Sequence, residues 1–289
     1  METRPKLIAI VGPTASGKTS LALDVAERYS GEIVCADSRT IYTGMDIGTA
    51  KPTTEEQARV RHWGLDLVQP GQSFSAADYK AHATAAITDI QSRGKLALLV
   101  GGTGLYVDSV LYDYQFGPPP DAARRAELEA LSLSELHEYC AKNNVLLPEN
   151  NQNKRYVVRA IERASMSDIS KSPLWSDAKI VGIATNMQTI RTRIISRSEH
   201  MFESDVAEEA TMLGKKYGWN SEAMTGNIYP ILHSHLEGRV TIDEAKDKIA
   251  TADYQLAKRQ MSWFRRNPDI MWASLTGASG YINSLLAAE

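Results

Sequence analysis

The sequence predicts an α/β protein, a parallel β-sheet flanked by helices and interrupted by a small helical insertion. Three observations carry that expectation. Short apolar runs ending in glycine or polar residues alternate with stretches of helical spacing. One of these runs opens into Gly12-Pro13-Thr14-Ala15-Ser16-Gly17-Lys18-Thr19, which fits the phosphate-binding pattern G-x-x-x-x-G-K-S/T at every fixed position. From Gly117 the composition changes, and the buried-strand pattern does not resume until Ala178.

Taken in order, residues 6–11 (KLIAIV) form a short apolar run of strand type. Thr19 to Tyr29 then carries Leu21, Ala22, Val25 and Ala26 at helical spacing. The glycine motif therefore sits between a strand and a helix, the setting of a phosphate loop, and the architecture expected is that of the P-loop NTPases. Gly12 and Gly17 let the backbone wrap an anion, and the amides and the helix N-terminus point at it. Lys18 reaches the terminal phosphates in such a loop, and the Thr19 hydroxyl holds Mg²⁺, which takes one or two protein oxygens beside phosphate oxygens and water. The alternative is a chance match in a glycine-rich turn.

Glu32 to Ala36 is a second strand ending in Asp37-Ser38-Arg39. A carboxylate there lies where α/β sheets place their ligands, or else it caps the next turn. Thr40 to Pro52 reads as an ordered loop over the site, and Trp63 to Val68 as a weak strand. Ser75 to Arg93 has helical spacing and stops at Gly94. Residues 95–100 (KLALLV) form the clearest buried strand and run into Gly101-Gly102-Thr103-Gly104.

Pro118-Pro119-Pro120 is a stiff link, Asp121 to Lys142 a polar helical stretch and Asn143 to Asn153 a loop. Lys154 to Ala164 is a helix with Arg155 and Arg159 at i, i+4 on one face. Such a stripe is either a solvated face or a set of phosphate-backbone contacts. Ser165 to Asp177 reads as a flexible return before the strand Ala178 to Thr185. Residues 1–116 and 178–289 are thus expected to form the core, with 117–177 inserted between two of its strands. Met187 to Lys216, with Arg191, Arg193 and Arg197 near its start, and Thr241 to Phe264, behind a Thr-x-x-Glu cap, are helical. Lys258, Arg259, Arg265 and Arg266 stand among Trp263 and Phe264. That mixture suits nucleic acid, or a helix that packs its aromatics and solvates its charges.

At 289 residues with 43% hydrophobic and 23% charged residues, the chain has the composition of an ordinary globular protein. A net charge of −3 leaves any basic face invisible. The only cysteines, Cys35 and Cys140, argue against a disulfide framework and fit a reducing cytoplasm. No apolar run approaches the roughly 20 residues of a membrane span, so a cytoplasmic protein without an anchor is expected; separately, a monomer is expected.

Five separated stretches together resemble the tRNA dimethylallyltransferases, also called tRNA isopentenyltransferases. They are residues 12–19 (GPTASGKT), 36–52 (ADSRTIYTGMDIGTAKP), 99–111 (LVGGTGLYVDSVL), 157–162 (VVRAIE) and 256–266 (LAKRQMSWFRR). The resemblance implies transfer of a dimethylallyl group from dimethylallyl diphosphate to N6 of the adenine beside the anticodon, at position 37 of tRNAs that read codons starting with U. It implies that residues 12–19 cradle the allylic diphosphate and not ATP, with Lys18 and Mg²⁺ on Thr19 neutralising the leaving group and Arg193 beside it. Asp37 matches the family's general base, and Thr103 the hydroxyl placed to bind a pyrophosphate oxygen. Ser38, Arg39 and Thr40 match the segment that holds the target nucleotide together with Asp37. Arg193 and Arg197 fall where the family has arginines beside the active-site channel, and Arg155, Arg159 and Arg197 are expected to bind the tRNA anticodon stem-loop, although Arg155-Tyr156-Val157-Val158-Arg159 stands where the family has its tRNA-contacting Gln-Arg-x-x-Arg. The sequence departs from the family in its short insertion, in Glu149 to Asn153 ahead of the basic helix, and in Met224-Thr225-Gly226-Asn227. Three other readings use the same loop: an adenylate dimethylallyltransferase, a small-molecule kinase and a non-catalytic nucleotide switch. The inserted and C-terminal basic helices disfavour the first, and the missing Asn-Lys-x-Asp segment disfavours the last.

Overall fold

The computed structural model describes residues 5–116, 121–164, 172–175 and 177–287. They fall into two compact units, Met1–Tyr112 with Leu174–Glu289, and Asp113–Pro173. The composition change at Gly117 thus lies four residues inside the second unit, and the strand at Ala178 begins four residues after the chain has returned to the first.

The first unit opens with β1 (Leu7–Val11), α1 (Lys18–Tyr29), β2 (Gly31–Ala36), α2 (Thr54–Arg59), β3 (His62–Trp63), α3 (Ala76–Ser92), β4 (Leu96–Gly101) and α4 (Gly104–Leu111). β1, β2 and β4 are almost wholly buried, which is why they read as unbroken apolar runs and not as alternating ones. The sheet has six strands in the order β3-β2-β4-β1-β5-β6, with β5 (Ala178–Ile183) and β6 (Ile270–Ala273) supplied after the insertion, and every pairing is parallel. Ile8, Ile10, Ile33, Cys35, Leu98 and Val100 form one apolar cluster with Leu21, Ala22 and Val25 of α1. Tyr79 of α3 stacks on Tyr106 of α4 with ring centroids 3.9 Å apart. Because all strands run the same way, Val11, Ala36, Gly101 and Ile183 end at one edge, where α/β sheets bind their ligands.

The second unit holds α5 (Ala122–Ala130), α6 (Leu133–Lys142) and α7 (Lys154–Ala164). Its core is Leu128, Leu136, Cys140, Val157, Val158 and Ile161. Arg125 makes a two-pronged contact with the buried Glu162 carboxylate at 2.7 Å per bond, and Arg159 adds a third bond at 3.0 Å.

The first unit closes with α8 (Met187–Glu203), α9 (Val206–Tyr217), a 3₁₀ turn (Glu222–Thr225), α10 (Tyr229–Leu236), α11 (Ile242–Phe264), β6 and α12 (Leu275–Ala287).

Three sequence expectations are corrected. Asp121 to Lys142 is two helices, because Leu131 is extended and Ser132 starts α6 with a capping box to Glu135. Met187 to Lys216 is also two, broken at Asp205, whose φ of 63° leaves the helical region. The weak strand at Trp63 to Val68 shrinks to His62–Trp63, and Val68 makes only an isolated bridge with Tyr42. Beyond the helix expected over Thr241 to Phe264, the chain adds the edge strand β6, four residues directly after Pro268 and Asp269. The triproline link and most of the return at 165–177 lie outside the described residues.

Candidate active site

β1 ends at Val11, the chain loops through residues 12–17, and α1 begins at Lys18. Gly17 stands at the N-cap with φ 96°, a region closed to most side chains, and no side chain caps the helix. The first amides of α1 therefore remain available to an anion. Ser16 is fully buried, and its hydroxyl has no hydrogen-bond partner among the described residues.

Distant helices brace this loop. The Thr14 amide donates to Gln260 Oε1 of α11 at 2.8 Å, and the Thr14 hydroxyl accepts from Arg197 of α8 at 2.8 Å. Arg197 is itself held by the buried Asp253 carboxylate of α11 at 2.5 Å. Arg193 donates to the Ala15 carbonyl at 3.1 Å, and Lys18 Nζ to the Pro13 carbonyl at 2.7 Å. Burial lowers the Lys18 ammonium from 10.5 to about 8, with Asp37 opposing the shift and Arg197 adding to it.

At the end of β2, Asp37 Oδ1 accepts from the Arg39 amide at 2.8 Å, and Oδ2 makes no hydrogen bond among the described residues. Thr103 Oγ1 accepts from the Ser38 amide at 3.1 Å and so ties the ends of β2 and β4 together. Thr40 is buried, and its hydroxyl has no partner among the described residues. One cavity is lined by residues 14–20 of the phosphate loop and α1, by Asp37 and Thr40, by Thr49, Ala50 and Pro52, and by Arg197. Ala22, Ile33, Cys35 and Val100 give it an apolar side. Burial pushes the Cys35 thiol up to about 12, so it stays protonated and is no nucleophile. The geometry offers an anion cradle, a carboxylate and an apolar surface within one enclosure.

The IPP transferase family model matches residues 40–267. A tRNA dimethylallyltransferase of Bacillus licheniformis is 37% identical over 95% of this chain and 92% of its own. The chain belongs to the IPP transferase family. A tRNA dimethylallyltransferase of Streptococcus pyogenes serotype M3 is 38% identical over the same shares. The crystal structure of the full-length tRNA isopentenylpyrophosphate transferase from Bacillus halodurans superposes with a TM-score of 0.74 at 33% identity, covering 98% of this chain and 97% of that one. The P-loop-like α/β fold expected from the sequence is thus the fold of the IPP transferases.

Of the residues singled out from the sequence, Thr14, Ala15, Ser16, Gly17, Lys18, Thr19, Asp37, Thr40 and Arg197 line this single cavity. Gly12 and Pro13 belong to the loop without lining it. Ser38 and Thr103 bond to each other, and Arg39 reaches the carbonyls of Glu222 and Ala223 at 3.5 Å. Arg155 and Arg159 are exposed on α7 of the second unit. The two readings of Asp37, turn cap and chemical group, are compatible: one oxygen makes the turn while the residue lines the cavity.

Sequence reasoning missed Gln260, Asp253, Lys51 and Glu209. A signal existed for two of them: Asp253, Ala257 and Gln260 fall at i, i+4, i+7 on α11, so a carboxylate and an amide share a helix face with a fully buried alanine. Among the described residues, no group of three or more His, Cys, Asp or Glu side chains is placed to hold a metal ion. No described helix is long and apolar enough to cross a membrane.

Proposed function

We propose that the protein transfers the dimethylallyl group of dimethylallyl diphosphate to N6 of an adenine in tRNA, the adenine beside the anticodon. The observation that carries this reading is the enclosure shared by the phosphate loop, Asp37 and an apolar side, in a chain whose relatives over 95% of its length are tRNA dimethylallyltransferases.

The residues divide the chemistry. An allylic carbon leaves pyrophosphate only when the departing charge is neutralised, and Lys18, the loop amides and the start of α1 face that position. The incoming diphosphate restores the charge that burial weakens on Lys18, since an anion at the ammonium favours its protonated form. Magnesium fits the donor set here: Thr19 lines the cavity, the buried Ser16 hydroxyl has no partner among the described residues, and an ion of this kind needs few protein oxygens when phosphates supply the rest. When bound, it adds positive charge at the leaving group.

The adenine N6 forms its bond to the allylic carbon as the carbon–oxygen bond to pyrophosphate breaks. The nitrogen then carries an extra proton, which Asp37 accepts through a carboxylate whose Oδ2 has no competing donor among the described residues. A base inside an anticodon loop reaches this carboxylate only after leaving its stack. Arg155 and Arg159 on α7 offer exposed positive charge to a tRNA backbone.

The test is transfer of label from dimethylallyl diphosphate to undermodified tRNA, AMP and ATP in parallel. Labelled tRNA supports the reading. Label on AMP or ATP alone assigns the protein to adenylate prenylation, and transfer of phosphate instead of the alkyl group assigns it to a kinase.

A further inference from the structure

Glu209 of α9 is only 6% exposed, and its carboxylate has no part in the chemistry described above. Oε2 accepts from the amides of Asp46 at 2.8 Å and Ile47 at 2.7 Å. Oε1 accepts from the amide of Gly48 at 2.9 Å and from the Tyr229 hydroxyl at 2.8 Å. Successive amides converging on one point make an anion-binding concavity. Here the chain fills that concavity with its own carboxylate, brought from an element more than 160 residues away. Burying a carboxylate is costly unless donors surround it, and four do.

The contact also dictates the loop sequence. A Cβ at Gly48 would stand 2.7 Å from Tyr229 Oη and 2.9 Å from Cζ, so only glycine lets the backbone come this close. Directly after the concavity come Thr49, Ala50 and Pro52, which line the cavity. Between them Lys51 turns inward to Asp46 and Asp66 at 2.5 and 2.6 Å and to the Tyr42 carbonyl at 2.9 Å. These lysine contacts bind the segment to itself and its near neighbours. The Glu209 contacts bind it to α9.

We propose that Glu209 is a positioning residue for prenyl transfer: by holding the amides of residues 46–48 it fixes the part of the cavity lining formed by Thr49, Ala50 and Pro52. The inference rests on the transfer reaction proposed above. Glu209 touches neither substrate. Its effect falls on how the acceptor is presented, and the phosphate loop keeps the diphosphate.

Glu209→Gln tests it by replacing one acceptor oxygen with an NH₂ group that faces N–H donors. Gly48→Ala perturbs the same contact from the loop side, and Tyr229→Phe removes one donor of the four. Each variant is compared with the parent by hydrogen exchange of the amides, by binding of labelled dimethylallyl diphosphate and by kcat/KM for undermodified tRNA. Glu209→Gln and Gly48→Ala should lower transfer by about 10²-fold, the cost of a misplaced reacting group. Exchange should quicken at residues 46–48 and stay unchanged in α1 and β4, with diphosphate affinity retained. Tyr229→Phe should cost about tenfold at most, the worth of one hydrogen bond.

Exchange that quickens throughout the protein, or diphosphate affinity that falls along with transfer, makes Glu209 a fold element and overturns the proposal. So does unchanged transfer with residues 46–48 loosened. A parent protein that labels no acceptor overturns the transfer reading, whereas a parent that labels tRNA with Glu209→Gln matching it overturns this inference alone.

Discussion

The phosphate loop and the segment from Asp37 to Pro52 line the same cavity and are built by opposite means. The loop makes its cradle from consecutive residues: Gly17 in a left-handed conformation, an uncapped helix start and Lys18. Its braces from Gln260 and Arg197 steady a shape that is already local. The second wall has no such geometry of its own. Its position comes from Thr103 at the start of α4, from Lys51 folded back on Asp46 and Asp66, and from Glu209 on α9. An anion can be recognised by backbone amides, which any sequence supplies once the turn is right. Orienting an acceptor needs side chains placed by the whole fold. Damage to the first wall should therefore appear in diphosphate binding, and damage to the second in the transfer step.

The largest effect is expected from Asp37→Asn. The Asn side chain keeps an oxygen for the Arg39 amide, so the turn survives, but it cannot accept a full proton. The single-turnover rate to saturating tRNA should fall by about 10²–10⁴-fold, the usual worth of general-base catalysis. A rate within a few-fold of the parent, which is what a turn cap alone would give, erases the distinction between the walls.

Next in size is Gln260→Leu, which strips the Thr14 amide of its acceptor. Diphosphate affinity should drop by about tenfold, the lower range for a donor left unpaired. Isothermal titration with the diphosphate measures it, and a loss confined to the tRNA KM would contradict the bracing role.

The pH dependence sharpens the same wall. Burial lowers Lys18 from 10.5 to about 8 in the free protein. Its charged form binds the anion, so diphosphate affinity should be full below about pH 8 and weaken above it, by at most about tenfold per pH unit. Lys18→Arg stays charged and should remove the fall. The stability sign is the reverse: a lowered ammonium pKa penalises the folded state at low pH, so relative to Lys18→Met stability should rise as pH climbs from 8 towards 10.5. Thermal melts at both ends of that window check it.

This division also accounts for what the sequence made legible. The cradle was readable from residues 12–19 because its geometry depends on glycine spacing and on the flanking strand and helix. The buried strands β1, β2, β4 and β5 were readable because strands covered on both faces appear as apolar runs. Glu209 was not, since the loop amides it holds lie 161 to 163 residues away, and Asp253 and Gln260 left only a shared helix face, with partners 56 and 246 residues away. β6 is four residues long and carries no period of its own, and Asp205 interrupts a pattern that otherwise reads as one helix. The capping box at Ser132 was readable, and weighing it would have split the stretch from Asp121 to Lys142.

The smallest effect concerns the second unit. Removing Arg155 and Arg159 together should weaken tRNA binding and lower the slope of log affinity against log salt by about one unit for each phosphate that is no longer neutralised. Arg159 already contacts Glu162 at 3.0 Å, so its share of the change should be the smaller for the charge that contact takes up. Filter binding across a salt series reads it out, and an unchanged slope assigns both arginines to a solvated face.

The contrast between the walls is tested most directly by equilibrium binding of labelled dimethylallyl diphosphate, without tRNA, to Lys18→Ala and Asp37→Asn measured side by side. Lys18→Ala should lose about 10²-fold in affinity, the scale of a charge-assisted bond to a phosphate in an enclosed site. Asp37→Asn should bind within a few-fold of the parent, because the proton it accepts exists only during transfer. Equal losses in the two variants would make Asp37 part of the anion cradle and contradict the division of labour.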